Sequence, residues 1–222
     1  MLRIEALIED RSGAYIVEAL LRDVIRQSNC ACELFMRPHR GVGHLPADWN
    51  QTPLAQRNSL LGLLPAKMRS YEALSGIDLL LVVFDSDTSD PEELQKQVWQ
   101  LSHHYLQKLP LCLGIAVEEL EAWLLGDPKA ILQAYPQANR ELLRAYRQDS
   151  ICGTWEHLAR VLMGSKAERL IHIGYPAVGA MKFEWAERIA PYLRAERNSS
   201  PSCRRFLKQV KAFLQQTKEE NA

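Results

Sequence analysis

The order of apolar and polar positions divides the chain into two styles. Up to residue 127 short apolar runs alternate with amphipathic stretches, and from Pro128 onward only the amphipathic kind continues. "RIEALI", residues 3–8, alternates and ends apolar, as a strand does, and "EDRSG" follows as a polar loop. From Ala14, "AYIVEALLRDVIRQ" sets Ile16, Val17, Leu20, Leu21, Val24 and Ile25 at helical spacing, with Ser12 in position to cap the helix. "ACELFMRP" predicts a second short strand, and "HRGVGHLPADWNQTP" a long loop. "LAQRNSLLGLLPAKMRSYEAL", residues 54–74, is helical in pattern, and Pro65 inside it predicts two helical pieces. "IDLLLVVF" is a continuous apolar run of strand length, the pattern of a strand covered on both faces. Asp90 and Pro91 then supply the cap and first position of a helix through "PEELQKQVWQLSHHYLQKL". "PLCLGIAV" reads as a fourth strand, and "EELEAWLLGD" as a short helix stopped by Gly126 and Pro128.

This alternation predicts an α/β fold, with a Rossmann-like, mostly parallel sheet of about four strands and helices on both faces over residues 1–127. An α-helical C-terminal extension over 128–222 packs on it, read from "PKAILQAY", "RELLRAY", "TWEHLARVLM", "GAMKFEWAERIAPYL" and "SPSCRRFLKQVKAFLQQ". Disorder is expected only in the closing "TKEENA".

Composition agrees with that reading. At 222 residues, 47% hydrophobic and 24% charged, the chain can bury one sizeable core. The charged opening "MLRIEALIED" matches neither a signal peptide nor a membrane span, so a cytoplasmic location and no membrane partner are expected. Five cysteines, an odd number, read as reduced thiols. Cys30, Cys32, His39 and His44 bring zinc-ligand types close in sequence, but a one-residue spacer in a strand gives no knuckle turn, which argues against zinc.

A net charge of zero conceals a division. Residues 71–127 hold eleven acids against two bases, while 160–222 hold twelve bases against six acids. That contrast suits a centre binding divalent cations beside a tail binding a polyanion, and equally suits two solvated helix faces. The acids are not scattered. Ligands of a parallel α/β sheet bind beyond the carboxyl ends of its strands, and three acidic groups fall on that edge: Glu9 with Asp10, Asp85 with Asp87, and Glu118 with Glu119 and Glu121. On extended backbone Asp85 and Asp87 point the same way, and on a helix Glu118 and Glu121 share a side. A hard cation with oxygen ligands, Mg2+ or Mn2+, is the natural counter-charge.

A first-strand Glu in "LIEDRSGAYIVEALL", a strand ending in D-x-D in "VVFDSDTSD" and an acidic helix start in "VEELEAWLLGD" resemble the TOPRIM domain of topoisomerases, primases and overcoming-lysogenisation-defect nucleases. More narrowly, the chain is similar to small bacterial TOPRIM-like proteins encoded beside ATPases in phage-defence loci, a likeness extending to "HRGVGHL", "KFEWAERIA" and "SPSCRRF". The resemblance implies a Mg2+- or Mn2+-dependent nuclease acting in anti-phage defence with an ATPase partner. It implies Glu9 as metal ligand or general acid/base, Asp85 and Asp87 as metal ligands, and Glu121 with Glu118 as the acids of the following helix. Lys182 would face the scissile phosphate, and Arg204, Arg205, Lys208 and Lys211 would hold the DNA or RNA backbone, unless that helix is simply solvated. Self-association stays open. Relatives read Glu-Gly-x-Ser/Thr-Glu after the first strand, whereas here the sequence is Glu9-Asp10-Arg11-Ser12-Gly13, so two-metal chemistry requires Asp10 or Glu18 to substitute. Two other readings stand beside this one. A non-catalytic partner or sensor subunit would keep the fold without the chemistry. A haloacid-dehalogenase-like phosphatase would use "VVFDSDTS" as its nucleophile motif, although that motif normally lies on the first strand.

Overall fold

A computed structural model describes residues 1–52 and 54–220. Four strands, β1 (Leu2–Ile8), β2 (Cys32–Pro38), β3 (Leu79–Asp85) and β4 (Leu111–Ala116), form one sheet in the order β2-β1-β3-β4, every pairing parallel. The connections carry α1 (Arg11–Ser28), α2 (Leu60–Ala73) and α3 (Pro91–Tyr105). After β4 come α4 (Glu121–Leu125), α5 (Pro128–Ala134), α6 (Arg140–Ala145), α7 (Thr154–Met163), α8 (Ala167–Ile173), α9 (Ala177–Ile189) and α10 (Pro201–Glu220). None of the helices among the described residues is long and apolar enough to cross a membrane.

The unbroken apolar run of β3 follows from its position. It lies inside the sheet with both faces covered, so all seven residues are buried. Leu79, Leu81 and Val83 face a core built with α1, α9 and α10, and Leu80, Val82 and Phe84 face α2 and α3. The first core is continuous with the helical extension: Trp123, Trp185, Phe206 and Val210 belong to it with Ile4 and Ile8 of β1. Trp123 stacks on Phe206 at 5.5 Å between centroids, and Gly114 of β4 lies beneath the pair, where an added Cβ would meet both rings at about 3.0–3.1 Å. The free edge of β4 is partly sealed by the amide of Gln209, which accepts from Leu113 N at 3.1 Å and donates to Leu113 O at 2.9 Å.

Several local expectations are corrected. Asp10, not Ser12, caps α1: its carboxylate accepts from Gly13 N and from the Ser12 hydroxyl, each at 2.7 Å. Pro65 sits inside a single helix, and the interruption falls earlier, between a short 3-10 turn at Leu54–Gln56 and α2. Asp127 and Pro128 do not merely stop α4; they begin α5, Asp127 accepting from Ala130 N, as Asp90 and Pro91 begin α3. The stretch forming α8 escaped the periodicity reading. Helix α10 continues through Thr217–Glu220, which "TKEENA" assigned to disorder; Asn221 and Ala222 lie outside the described residues.

The zinc grouping is excluded by strand direction. Cys32 opens β2 and His39 follows its far end, ~20 Å apart at the usual rise per residue.

Candidate metal and phosphoryl-transfer site

The carboxyl edge of the sheet gathers the acids because β1 and β3 are neighbours and both end there. Glu9 N donates to Val83 O, and the Glu9 carboxylate turns back to accept from Asp85 N at 2.8 Å, joining residues 76 positions apart. Asp85, the last residue of β3, is 8% exposed, and its Oδ1 accepts from Leu120 N at 2.8 Å. Beyond it the backbone does not stay extended. Asp87 has φ +47° and Glu118 φ +62°, and the two are tied directly, Asp87 N donating to Glu118 O at 2.9 Å. Left-handed backbone is unfavourable for a non-glycine residue, so this paired distortion is held by its surroundings. The expectation that Asp85 and Asp87 project alike from a strand is therefore replaced by a turn that sets Asp87 separately.

The remaining acids have different roles. Both oxygens of Glu118 are committed to the start of α7, accepting from Cys152 N, Gly153 N and Thr154 N at 3.0–3.1 Å and from the Thr154 hydroxyl. Glu118 is a helix cap, not a free ligand. Glu119, which the sequence reading left out of the ligand set, enters the cluster: Oε1 accepts from Lys182 Nζ at 3.3 Å and Oε2 from Trp155 N at 3.0 Å. Glu121, 2% exposed, has Oε2 3.1 Å from Lys182 Nζ, an ion pair too poorly aligned to satisfy that oxygen as a hydrogen bond. Lys182, on α9 and 8% exposed, is thus wedged between two carboxylates.

Five acids, Glu9, Asp85, Asp87, Glu119 and Glu121, meet one lysine, and their proton affinities register the excess. Burial first, then the charges of Asp87 and Asp10, push Glu9 up to about 7 against the opposing pull of the Asp85 amide and Lys182. Glu119 is likewise raised to about 7 by burial and Glu121, against Lys182. Asp85 is raised well above the usual carboxylate range by burial and by Glu9, and burial also raises Asp87. Burial opposes the charge on Lys182, but Glu121, Glu119 and Asp85 outweigh it and lift the ammonium well above its ordinary value.

The donor set is all oxygen, as a hard divalent ion requires. Glu9 Oε1, Asp85 Oδ2 and both oxygens of Asp87 make no hydrogen bond among the described residues. Among those residues, however, no three His, Cys, Asp or Glu side chains stand close enough to hold a metal ion as they are. The donor chemistry fits a cation, while the nearest resident positive charge is Lys182.

Neither proposed substitute for the missing second glutamate is available. Asp10 caps α1, and Glu18 pairs with Arg22 at 2.6 Å on the helix surface. Gly13 has a packing reason: a Cβ there would lie 2.6 Å from Leu120 Cδ1. The phosphatase reading lacks its later acids, since Asp149 is engaged by Ser200 Oγ and Ser202 N, each at 2.7 Å.

The basic residues of α10 do not form one row. Arg204, Lys208 and Lys211 border a pocket with Ala195, whereas Arg205 faces a groove along β4 of about 1130 Å³. None of the clustered carboxylates lines that groove. The helix runs from Trp123, bonded to Ser202, to Leu214, whose carbonyl meets Cys30 Sγ just before β2, and so leads away from the carboxylate edge. Comparison of the chain with protein family models, characterised proteins and solved structures gives no match.

Proposed function

We propose that the carboxyl edge of the sheet is a divalent-cation-dependent phosphodiesterase site of TOPRIM type, acting on nucleic acid. The observation carrying this reading is the Glu9 carboxylate bonded to the Asp85 amide with Asp87 alongside, three acids from two adjacent strand ends with oxygens to spare. Glu9, Asp85 and Asp87 would hold Mg2+ or Mn2+, which supplies Lewis acidity toward the phosphoryl group and an activated water. Glu9, raised to about 7 while no cation is bound, would give up its proton to ligate the ion, so cation binding near neutrality would release a proton. Lys182 holds Glu119 and Glu121 in place through its two ion pairs, a positioning role rather than the direct phosphate contact that the resemblance implies. By the same resemblance the protein works with an ATPase in phage defence, and its charged opening suits a cytoplasmic location.

The test is incubation with DNA and with RNA in magnesium or manganese, with and without a candidate ATPase partner. Cleavage lost in Asp85→Ala by ~100-fold or more is expected, the scale for removing one group that stabilises developing charge. Absence of cleavage under every condition, or undiminished activity in Asp85→Ala, overturns the reading. A non-catalytic role is favoured by one observation: Lys182 already neutralises part of the cluster without any metal.

A further inference from the structure

We propose that the pocket at the carboxyl end of β2 seats the phosphate backbone of a nucleic-acid strand and delivers it to the carboxylate edge. The proposal rests on the phosphodiesterase reading for what the strand is brought to, and on different residues for how it is held. The pocket has a volume of about 430 Å³ and is lined by Arg37, Arg40, Arg57, Lys67 and His39, with no acid in its lining. Arg37 is already matched, its guanidinium donating to Glu5 at 2.9 Å. The side chains of Arg40, Arg57 and Lys67 make no hydrogen bond or ion pair among the described residues. Unmatched cations around one concavity repel each other unless an anion is present, and arginine is suited to phosphate oxygens.

The backbone explains the placement. His39 N donates to Ile8 O at 2.9 Å and Gly41 N to Glu9 O at 3.2 Å, so the loop carrying Arg40 is stitched to the residue bearing the first catalytic carboxylate. Arg40 N donates to Asn58 O at 2.9 Å, bringing the segment with Arg57 against it, and Lys67 projects from α2. The first amides of α2 are taken by the carbonyls of Gly41 and Val42, so side chains must do the holding. The three unmatched cations come from two loops and a helix, an arrangement for successive phosphates of a strand rather than for one phosphate gripped by a single fork. A small free anion would also meet the neighbouring acid excess with nothing to offset it.

The experiment is fluorescence anisotropy of the full chain with a labelled single-stranded DNA and RNA oligonucleotide, in chelator so that no hydrolysis occurs, over a salt titration. For Arg40→Gln/Arg57→Gln/Lys67→Gln the affinity at low salt is expected to fall ~10-fold or more and the log–log salt slope to flatten by about 2, at ~0.7 per single-strand phosphate contact. A variant with Arg204, Arg205, Lys208 and Lys211 all changed to Gln should stay within about twofold of the parent, since those cations lie elsewhere. Thermal melts confirm folding of each. Parental affinity and slope in the triple variant overturns the proposal, as does loss confined to the α10 variant or no strand binding by the parent. Inorganic phosphate displacing the strand as effectively as an unlabelled oligonucleotide at equal phosphate concentration would make this a small-anion pocket and also overturn it. Strand binding through the pocket without cleavage in magnesium would sink the phosphodiesterase reading alone, and an unchanged KM for cleavage in the triple variant would sink the pocket alone.

Discussion

Strand β1 carries a buried glutamate and leads into a second, partly buried one, and their surroundings have opposite sign. Glu5, 1% exposed, lies between Arg3 and Arg37, each guanidinium 2.9 Å from its carboxylate. Burial works to raise its pKa, but Arg37 and Arg3 outweigh it and hold the carboxyl below its usual value. Glu9, just past the strand end, has acids for neighbours and is raised to about 7. Desolvation works to raise the pKa of both acids, so its direction does not separate them. The difference is whether the fold supplies the counter-charge. Around Glu5 it does, and the carboxylate is a structural tie between β1 and β2. At Glu9 the fold supplies one lysine for five acids, which leaves a site whose charge must be completed by protons or by a cation.

The largest effect should come from removing the lysine. In Lys182→Met, Glu119 and Glu121 lose their only close cation among the described residues, while Glu121 stays buried and Glu119 largely so. Breaking a buried pair at one partner costs about 3–5 kcal/mol, and urea unfolding at neutral pH in chelator should register a loss of that order. Magnesium should return part of it if the acids can hold a cation. A loss under about 1 kcal/mol would mean that the acid excess is not felt by the fold, and the contrast with Glu5 would collapse.

The contrast also has a pH signature of opposite sign. Glu9 and Glu119 have folded-state values near 7 against 4.5, so what they contribute is fully present below about 4.5 and is lost as pH rises to about 7. Glu5 is depressed, so its contribution is present above 4.5 and is lost as pH falls through its lower folded value. Melting temperatures in chelator should therefore diverge between the parent and Glu9→Gln/Glu119→Gln as pH rises from 4.5 to 7, with the variant becoming the more stable. Parent and Glu5→Gln should diverge most above 4.5, with the parent the more stable. Magnesium at pH 8 should raise the melting point of the parent and not of the double variant. A parent melting curve indifferent to magnesium breaks the cation reading.

The sheet was legible because burial on both faces writes itself into composition: β3 could hardly be read as anything else. The gathering of Glu9, Asp85 and Asp87 was legible for a related reason, since strand ends in a parallel sheet share one edge. What could not be read was the use to which each acid is put. Glu118 and Glu121 sit three apart on what the pattern presents as one helix face, yet α4 starts only at Glu121 and Glu118 turns to cap α7, whose start lies thirty-six residues away at Thr154. No local pattern encodes that contact. Glu119 was missed for the converse reason, because its partner Lys182 is on α9. The basic pocket draws Arg40, Arg57 and Lys67 from separate elements, whereas the cations of α10 look concentrated in sequence and are divided in space.

The smallest expected effect is the most direct attempt to make one glutamate resemble the other. Arg37→Met removes one of the two guanidiniums at Glu5 and leaves Arg3, so the carboxylate keeps a partner. Because the Arg37 side chain is 46% exposed, solvent screens much of its contribution, and a loss of about 1 kcal/mol is expected in urea unfolding at neutral pH. The informative measurement is the ionisation of Glu5 followed by NMR. It should move upward toward the ordinary carboxylate range yet stay below Glu9, since Arg3 remains beside it and the like-charged neighbours of Glu9 are absent. Magnesium should change neither the stability nor the titration at this position. If Glu5 in Arg37→Met instead rises to about 7, burial alone accounts for the behaviour of Glu9, and the acid excess at the sheet edge loses its standing as the mark of a functional site.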